Sequence, residues 1–422
     1  MTGPLSGIRV VEFSHMVMGP SCGLVLGDLG ADVVKIEPAP DGDNTRRLVG
    51  AGAGFFATFN RNKRSLALDL KTPKGLNFAE KLIRRADVMT ENFRPGGLEA
   101  LGLGYEALRQ ENPGLIYCSL KGFLAGPYEN RAALDEVVQM MGGLAYMTGP
   151  PGRPLRAGTS VNDIMGGMFA AIGILAALHE RSSTGKGQVV RSALFENNAF
   201  LVAQHMAQYA VTGKPAAPMP ARISAWGIYD VFDTKDGEQV FVGVVTDTQW
   251  AVFCREFGQD ALFADASLAT NSQRVAARDR LLPVLRELFL RFTRAEIIGA
   301  FERARLPFAP IMKPEDLFED PHLLTPGAWS RWERPMAARC RSRRCRSRWL
   351  GVASVGASTC RASASTAPRS RPSSAIRRRR SKSSWRRACC ASTIGLHDNV
   401  GALVARTDPC SATALIFRRR PG

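Results

Sequence analysis

A chain of 422 residues with 45% hydrophobic residues is long enough for two domains with real cores. Its formal charge of +18 would suggest a nucleic-acid binder, but 22 of the 56 basic and only 3 of the 38 acidic residues fall in 329–422. That leaves 34 basic against 35 acidic residues before residue 329, a balanced body that excludes a nucleic-acid surface there. Cys22, Cys118 and Cys254 are the only cysteines in that body, too far apart for a metal-ligand spacing, and no metal site is expected. No secretory pattern opens the sequence, and the apolar run 164–178 is too short to span a bilayer comfortably, so a cytoplasmic protein with reduced thiols and no membrane contact is expected.

Residues 8–13 (IRVVEF) are a β-branched run that reads as a buried strand. A helix should open after Pro20 and stop at Gly30, and 32–37 (DVVKIE) reads as a second strand. Strand, helix and strand within about thirty residues form a βαβ unit, which implies a parallel sheet. The alternation continues with a strand at 65–70, a helix at 73–86, strands at 87–92 and 115–120, a long helix at 164–181 and a strand at 187–194. An α/β domain over 1–213 follows. Residues 213–220 are a Pro/Ala linker. Beyond it, 226–233 and 239–245 flank Lys235-Asp236-Gly237, a hairpin signal, and helical patterns run through 248–257, 274–292 and 294–305. A smaller α+β domain over 222–320 is expected.

Residues 329–422 fit neither domain. Of the 22 basic residues there, 21 are Arg, and Ser, Ala, Cys and Arg dominate without helix or strand periodicity. The segment is expected to be disordered, or the product of a shifted reading frame in a GC-rich gene. A basic arm for nucleic acid is the remote alternative.

Three features bear on chemistry. First, strand, glycine-bearing turn, helix and strand ending at Glu37 is the layout of a Rossmann unit. The glycines, however, are 19, 23, 27 and 30 rather than the crowded G-x-G-x-x-G that lets a backbone touch pyrophosphate, so they read as helix-packing residues. Second, no P-loop, zinc pattern or G-x-S-x-G is present. Third, 157–168 (AGTSVNDIMGGM) sets Asp163 at the mouth of the long apolar helix. Aspartate there is commonly an N-cap. Gly166 and Gly167 in the first turn weaken that reading, because they cost helix stability and make sense if something must approach the carboxylate. A carboxylate at a helix N-terminus, with amide donors near, can act as a nucleophile.

The segments PLSGIRVVEFSH, GPSCGLVLGDLGADVVKIEP, FNRNKRSLALDLK, ADVMTENFRPGGLEALGLGY, NPGLIYCSLKGF and NDIMGGMFAAIGILAALHERSSTGKGQVV resemble class III CoA-transferases, the formyl-CoA and carnitine-CoA transferase family, over most of 4–325. The resemblance implies a Rossmann-like large domain, a small domain and an interlocked-ring homodimer. It implies that Asp163 attacks an acyl-CoA thioester and that CoA then moves to a free carboxylic acid through an aspartyl intermediate. Coenzyme A thioesters would be substrates, with no tightly bound cofactor. Carried over by position, His15, Met16, Val17 and Met18 would line the thiol and pantetheine. Leu68 and Lys71 would lie near the adenine and phosphates, and Asn92 and Phe93 would contact pantetheine. Asp135, with Gly166 and Gly167, would help orient substrate; for Asp135 a helix-start charge is an equal alternative.

The sequence also departs from the family. Val17 replaces a glutamine, Pro38 and Ala100 stand where formyl-CoA transferases place CoA-contacting arginines, and no glycine flap appears in the small domain. Formyl and oxalate specificity is therefore not implied; the acyl donor and acceptor are not readable from the residues, with dicarboxylates such as succinate or itaconate-like acids among the acceptors to consider. Acyl-CoA racemases of the same fold pair the aspartate with a histidine in G-H-D. Here the triplet is Ala133-Leu134-Asp135, which lacks the second base and favours transfer over racemisation.

Overall fold

A computed structural model describes residues 3–222 and 224–325; the expectations for 329–422 lie outside them. The elements are β1 (Arg9–Phe13), α1 (Met18–Asp28), β2 (Asp32–Pro38), α2 (Phe55–Phe59), β3 (Arg64–Leu68), α3 (Pro73–Ile83), β4 (Val88–Glu91), α4 (Tyr105–Glu111) and β5 (Ile116–Lys121). They continue as α5 (Asp135–Met141), α6 (Leu144–Thr148), α7 (Val161–Thr184), β6 (Val189–Ala193) and α8 (Leu194–Thr212). After these come β7 (Ile228–Asp233), β8 (Gln239–Val244), α9 (Asp247–Glu256), α10 (Asp260–Ala264), α11 (Asn271–Ala276), α12 (Arg278–Phe289), α13 (Arg294–Ala304), β9 (Phe308–Pro310) and α14 (Pro321–Leu324).

Among the described residues, six strands form a parallel sheet in the order β3-β2-β1-β4-β5-β6. Both faces are covered, which is why the strands read as continuous apolar runs. Successive side chains alternate between faces. Val10, Val88, Ile116, Cys118 and Val190 join the core shared with α1 and α7, while Val11, Phe13, Met89 and Tyr117 join the one shared with α3 and α4. Order reverses between β1 and β4, so the crevice beyond their carboxyl ends is the place where open α/β sheets take ligands.

Helices α1 and α7 pack directly against each other. The cause is visible in the glycines: a Cβ at Gly167 would lie 2.6 Å from Met18 O and 2.8 Å from Cys22 N. By length and composition α7 could cross a membrane. Here it is a core helix, with Ala170, Ala171, Ile174 and Ala177 buried against α1 and the sheet.

The second sheet is antiparallel, in the order β7-β8-β9. The expected hairpin is present, turning at Gly237 with φ 75°. Its core is aromatic, with Trp250, Phe253, Phe289 and Phe301 buried together.

Several boundaries differ from the sequence reading. The first helix opens at Met18, not after Pro20, because proline has no amide to lose in a first turn and the Ser21 amide already reaches Val17 O at 2.8 Å. The strand at 65–70 ends at Leu68, where the Asp69 carboxylate takes the Lys71 amide in a tight turn. The helix expected at 274–292 is two, broken at Ala277. For α5 the sequence offers only the helix-start alternative at Asp135, and it offers nothing for α4, α6 and α8. The last of these starts directly after β6 with no polar cap to announce it.

Candidate active site

Asp163 is the third residue of α7. The N-cap is Ser160, and Asp163 makes no capping bond, so the common role for aspartate at a helix start is not its role. The capping is done from another helix. Asp135, the first residue of α5 and buried, accepts the Asn162 amide at 2.8 Å and the Asp163 amide at 3.2 Å through one oxygen. Its other oxygen accepts from Gln139 Nε2 at 2.5 Å, and Gln139 Oε1 takes the Ala157 amide at 2.8 Å. Asp135 thus accepts three hydrogen bonds, two of them orphan donors of a helix N-terminus. It is more than a helix-start charge.

Burial, and then the neighbouring Asp135 charge, push the Asp163 carboxyl up from 3.8 to about 7. Half-buried and without a hydrogen-bonded partner for its side chain among the described residues, it is shared between acid and carboxylate near neutral pH, and the carboxylate form is unusually basic. Perturbed carboxylates in a crevice are the usual mark of a working group.

Gly166 and Gly167 do not open a path to this carboxylate. A Cβ at Gly166 would meet Met18 Cε at 2.5 Å and Asn197 Nδ2 at 2.7 Å, and Gly167 faces the backbone of α1. Their function is to let α1 and α7 touch, which sets the start of α7 beside the loop after β1.

That loop is rigid by construction. The His15 amide donates to Asn92 Oδ1 at 3.1 Å and Asn92 Nδ2 donates to His15 O at 2.9 Å, linking the ends of β1 and β4. The His15 imidazole is held below its ordinary value, chiefly by desolvation and also by Lys35. His15 and Met16 project outward. Val17 and Met18 are 1% and 4% exposed, and Met18 is already helical, so their side chains serve the core. Phe93 is half-buried against the α3–α4 core, its amide taken by Glu91. Leu68 packs on the same core from the end of β3, and Lys71 is exposed three residues beyond it.

A group of buried charges beneath the loop was not read from sequence. Glu12, fully buried on β1, pairs with Lys63 at 2.8 Å and Lys35 at 3.3 Å. Gly23 of α1 lies over it, with no room for a side chain. The DVVKIE strand held the signal, a charged residue alternating with buried ones. Glu37, at the end of β2, sits where a ribose-binding acid would stand in a dinucleotide fold. Its oxygens are taken by a bidentate Arg46 fork at 2.7 Å, by the Asp43 amide and by Ser65. Although burial opposes it, these bonds hold the carboxyl at about 2. No oxygen is left for a ribose hydroxyl, which agrees with the missing G-x-G-x-x-G.

The sequence profile of CoA-transferase family III matches residues 5–355. A succinate–glutarate CoA-transferase from Agrobacterium fabrum is 36% identical over 336 residues, covering 77% of this chain and 84% of the relative. A succinyl-CoA:mesaconate CoA-transferase from Haloarcula hispanica is 34% identical over 336 residues, with coverage of 76% and 83%. Among solved structures, a CaiB/BaiF family protein from Brucella suis superposes with a TM-score of 0.71 at 36% identity, covering 78% of this chain and 89% of that one.

Proposed function

The chain belongs to CoA-transferase family III and is a CoA-transferase, and we propose that Asp163 is its covalent nucleophile and that its acids are small dicarboxylates. One observation supports the first part above the rest: a half-buried carboxylate, raised to about 7, whose amide is anchored by Asp135 while its own oxygens stay uncommitted. The dicarboxylate reading rests on the names of the relatives, which act on succinate with glutarate or mesaconate.

In this mechanism an Asp163 oxygen attacks the thioester carbonyl carbon, the C–S bond breaks, and CoA leaves as thiolate from a mixed anhydride. The thiolate then attacks the Asp163 carbonyl, releasing the donor acid as carboxylate and leaving an aspartyl-CoA thioester. The acceptor carboxylate attacks that thioester and frees thiolate again. Thiolate attack on the acceptor carbonyl of the second anhydride yields the new acyl-CoA and restores Asp163. Charge and atoms balance at each step, and no proton needs to move. A carboxylate is a weak nucleophile; raising its basicity and converting it to an anhydride divides one hard exchange into easier ones.

In the same reading His15, Met16, Asn92 and Phe93 meet the pantetheine arm, with the backbone of Val17 and Met18. Leu68 and Lys71 lie toward the nucleotide end. The two sheets would be a large domain over 1–213 and a small domain over 222–320. A homodimer would cover the apolar side chains that α7 and α8 expose, among them Ile172, Phe200 and Tyr209. Buried, reduced Cys22 and Cys118 suit a cytoplasmic location. Racemisation is disfavoured by Leu134, an exposed aliphatic cap beside Asp135 that can carry no proton.

The test is mass spectrometry of acyl-CoA products from a panel of acyl-CoA donors and carboxylic acids. Wild type should form new thioesters with dicarboxylates, and Asp163→Ala should lose at least about a thousandfold in rate. Exchange that survives the substitution overturns the mechanism. Exchange only with monocarboxylates overturns the substrate class.

A further inference from the structure

We propose that Lys35, Asp43 and Thr45 form a positioning clamp that holds Met16 in a strained backbone conformation and so presets the loop after β1 for acyl-CoA. The clamp acts on the reaction without touching the reacting atoms. It rests on the reading that this loop faces the pantetheine arm.

Met16 has φ 62°, the left-handed region that a residue with a side chain enters only against steric cost. Such strain persists where surrounding contacts over-determine it, and an outlier of this kind is a pointer to function. A connector between a strand and a helix would ordinarily place glycine there. Here the strain is held by a circuit of hydrogen bonds closed by one ion pair. The Met16 amide donates to Thr45 Oγ1 at 3.2 Å, and that hydroxyl donates to Asp43 Oδ1 at 2.7 Å. Asp43 Oδ2 pairs with Lys35 Nζ at 3.1 Å, and the same ammonium donates to Ser14 O at 2.5 Å. The circuit leaves the loop at residue 14 and returns at residue 16, bracketing His15.

The cost of this arrangement argues against a merely structural role. Lys35 and Asp43 are 1% and 3% exposed, and buried ion pairs are seldom the cheapest way to fill space. Burial alone would raise the Asp43 carboxyl, yet the Thr45 amide and Lys35 hold it below its ordinary value, as a committed anion. The outcome is a short loop whose backbone polar groups are pinned while the His15 and Met16 side chains stay partly exposed, the Met16 sulfur resting 3.8 Å from Thr45 Oγ1. Preorganisation of that kind lowers the ordering cost when a flexible pantetheine arm binds.

The experiment is steady-state kinetics of CoA exchange, with KM measured separately for acyl-CoA and acceptor acid, alongside thermal melting, for Thr45→Val, Met16→Gly, Met16→Ala and His15→Ala. Thr45→Val keeps shape but removes the anchor. Met16→Gly removes the strain and frees the loop. Both should raise KM for acyl-CoA about tenfold and leave KM for the acid unchanged. Met16→Gly should do so without lowering Tm, and by more than Met16→Ala, which loses the same pantetheine contact but keeps the strain; equal effects of the two overturn the clamp. Unchanged KM in Met16→Gly, or KM effects in Thr45→Val that fall equally on acid and acyl-CoA, overturns the clamp. If His15→Ala also leaves KM for acyl-CoA unchanged, the loop is not the acyl-CoA site and the underlying reading fails. If His15→Ala raises it while Thr45→Val and Met16→Gly do not, the reading stands and the clamp alone is wrong.

Discussion

Asp135 holds the amide of Asp163 from a different helix, and the same carboxylate charge helps raise the Asp163 carboxyl to about 7. One residue therefore both places Asp163 and, second to burial, adds to its basicity. The rate of attack on acyl-CoA should climb with pH through about 7 and level off above it, as Asp163 loses its proton. Asp135→Asn keeps an oxygen for the two amides but removes the charge. Its pH–rate inflection should move to lower pH, with a lower plateau because the nucleophile is less basic. A pH profile of kcat/KM for the donor measures both, and an unmoved inflection would show that Asp135 does not tune Asp163.

The raised carboxyl also has a stability consequence. A group whose folded value lies above its unfolded one stabilises the fold only while protonated, so this contribution is whole below about pH 4 and is lost as pH rises through 7. A shift from 3.8 to about 7 corresponds to roughly 4 kcal/mol, and partial exposure reduces this to about 1–3 kcal/mol. Asp163→Asn should be inactive yet melt a few degrees higher than wild type at pH 8, with the gap closing at pH 5. A melting series in the two buffers checks the sign.

Gly167→Ala should damage both folding and activity. The added methyl would stand 2.6 Å from Met18 O and 2.6 Å from Ser21 Cβ, and backbone atoms of α1 cannot move aside cheaply. Overpacking of this kind costs about 1–3 kcal/mol. Gly158→Ala is the control, since nothing lies within 4 Å of the added atom and its φ is ordinary. Chemical denaturation should separate the pair; equal midpoints would mean that the α1–α7 contact is not tight.

Glu12→Gln leaves Lys63 in a buried site without its counter-charge. Burial already pulls the Lys63 ammonium below its ordinary value, and Glu12 is what opposes the fall. Breaking a buried pair from one side costs about 3–5 kcal/mol. The double variant with Lys63→Met should recover most of that loss, because Lys35 keeps Asp43. Urea unfolding of the single and double variants gives the comparison, and a double variant no better than the single one would contradict the pairing.

Much of this protein was legible from sequence alone. The strands at 8–13 and 32–37 and the long helix around 164–181 follow from local apolar patterning, which neighbouring residues decide by themselves. The hairpin at Lys235-Asp236-Gly237 follows from the need for a positive φ, which glycine supplies at 237. The family, and with it the transferase activity, was carried by long ordered motifs and is borne out by the family profile and the relatives. What periodicity could not show was any element without its own signal. Helix α8 begins on an uncapped alanine straight after a strand, and nothing local marks its start.

The site was legible as residue types and not as relationships. Asp163 stands out by its position, but the N-cap role its neighbours suggest falls elsewhere. The capping group is Asp135, 28 residues away, and the glycine faces are filled by Met18 and Cys22 of another helix. The charges of Glu12, Lys35, Asp43 and Lys63 are scattered over some fifty residues and meet only because β1 and β2 are neighbours in the sheet and the loops after β2 and α2 fold back beneath α1. Sequence by itself determined which elements form and which chemistry the chain inherits, since both depend on local pattern and motif. Tertiary structure alone decided which carboxylate is held, which is free and how strongly each is desolvated, because burial and ion pairing act across space and leave no period in the chain.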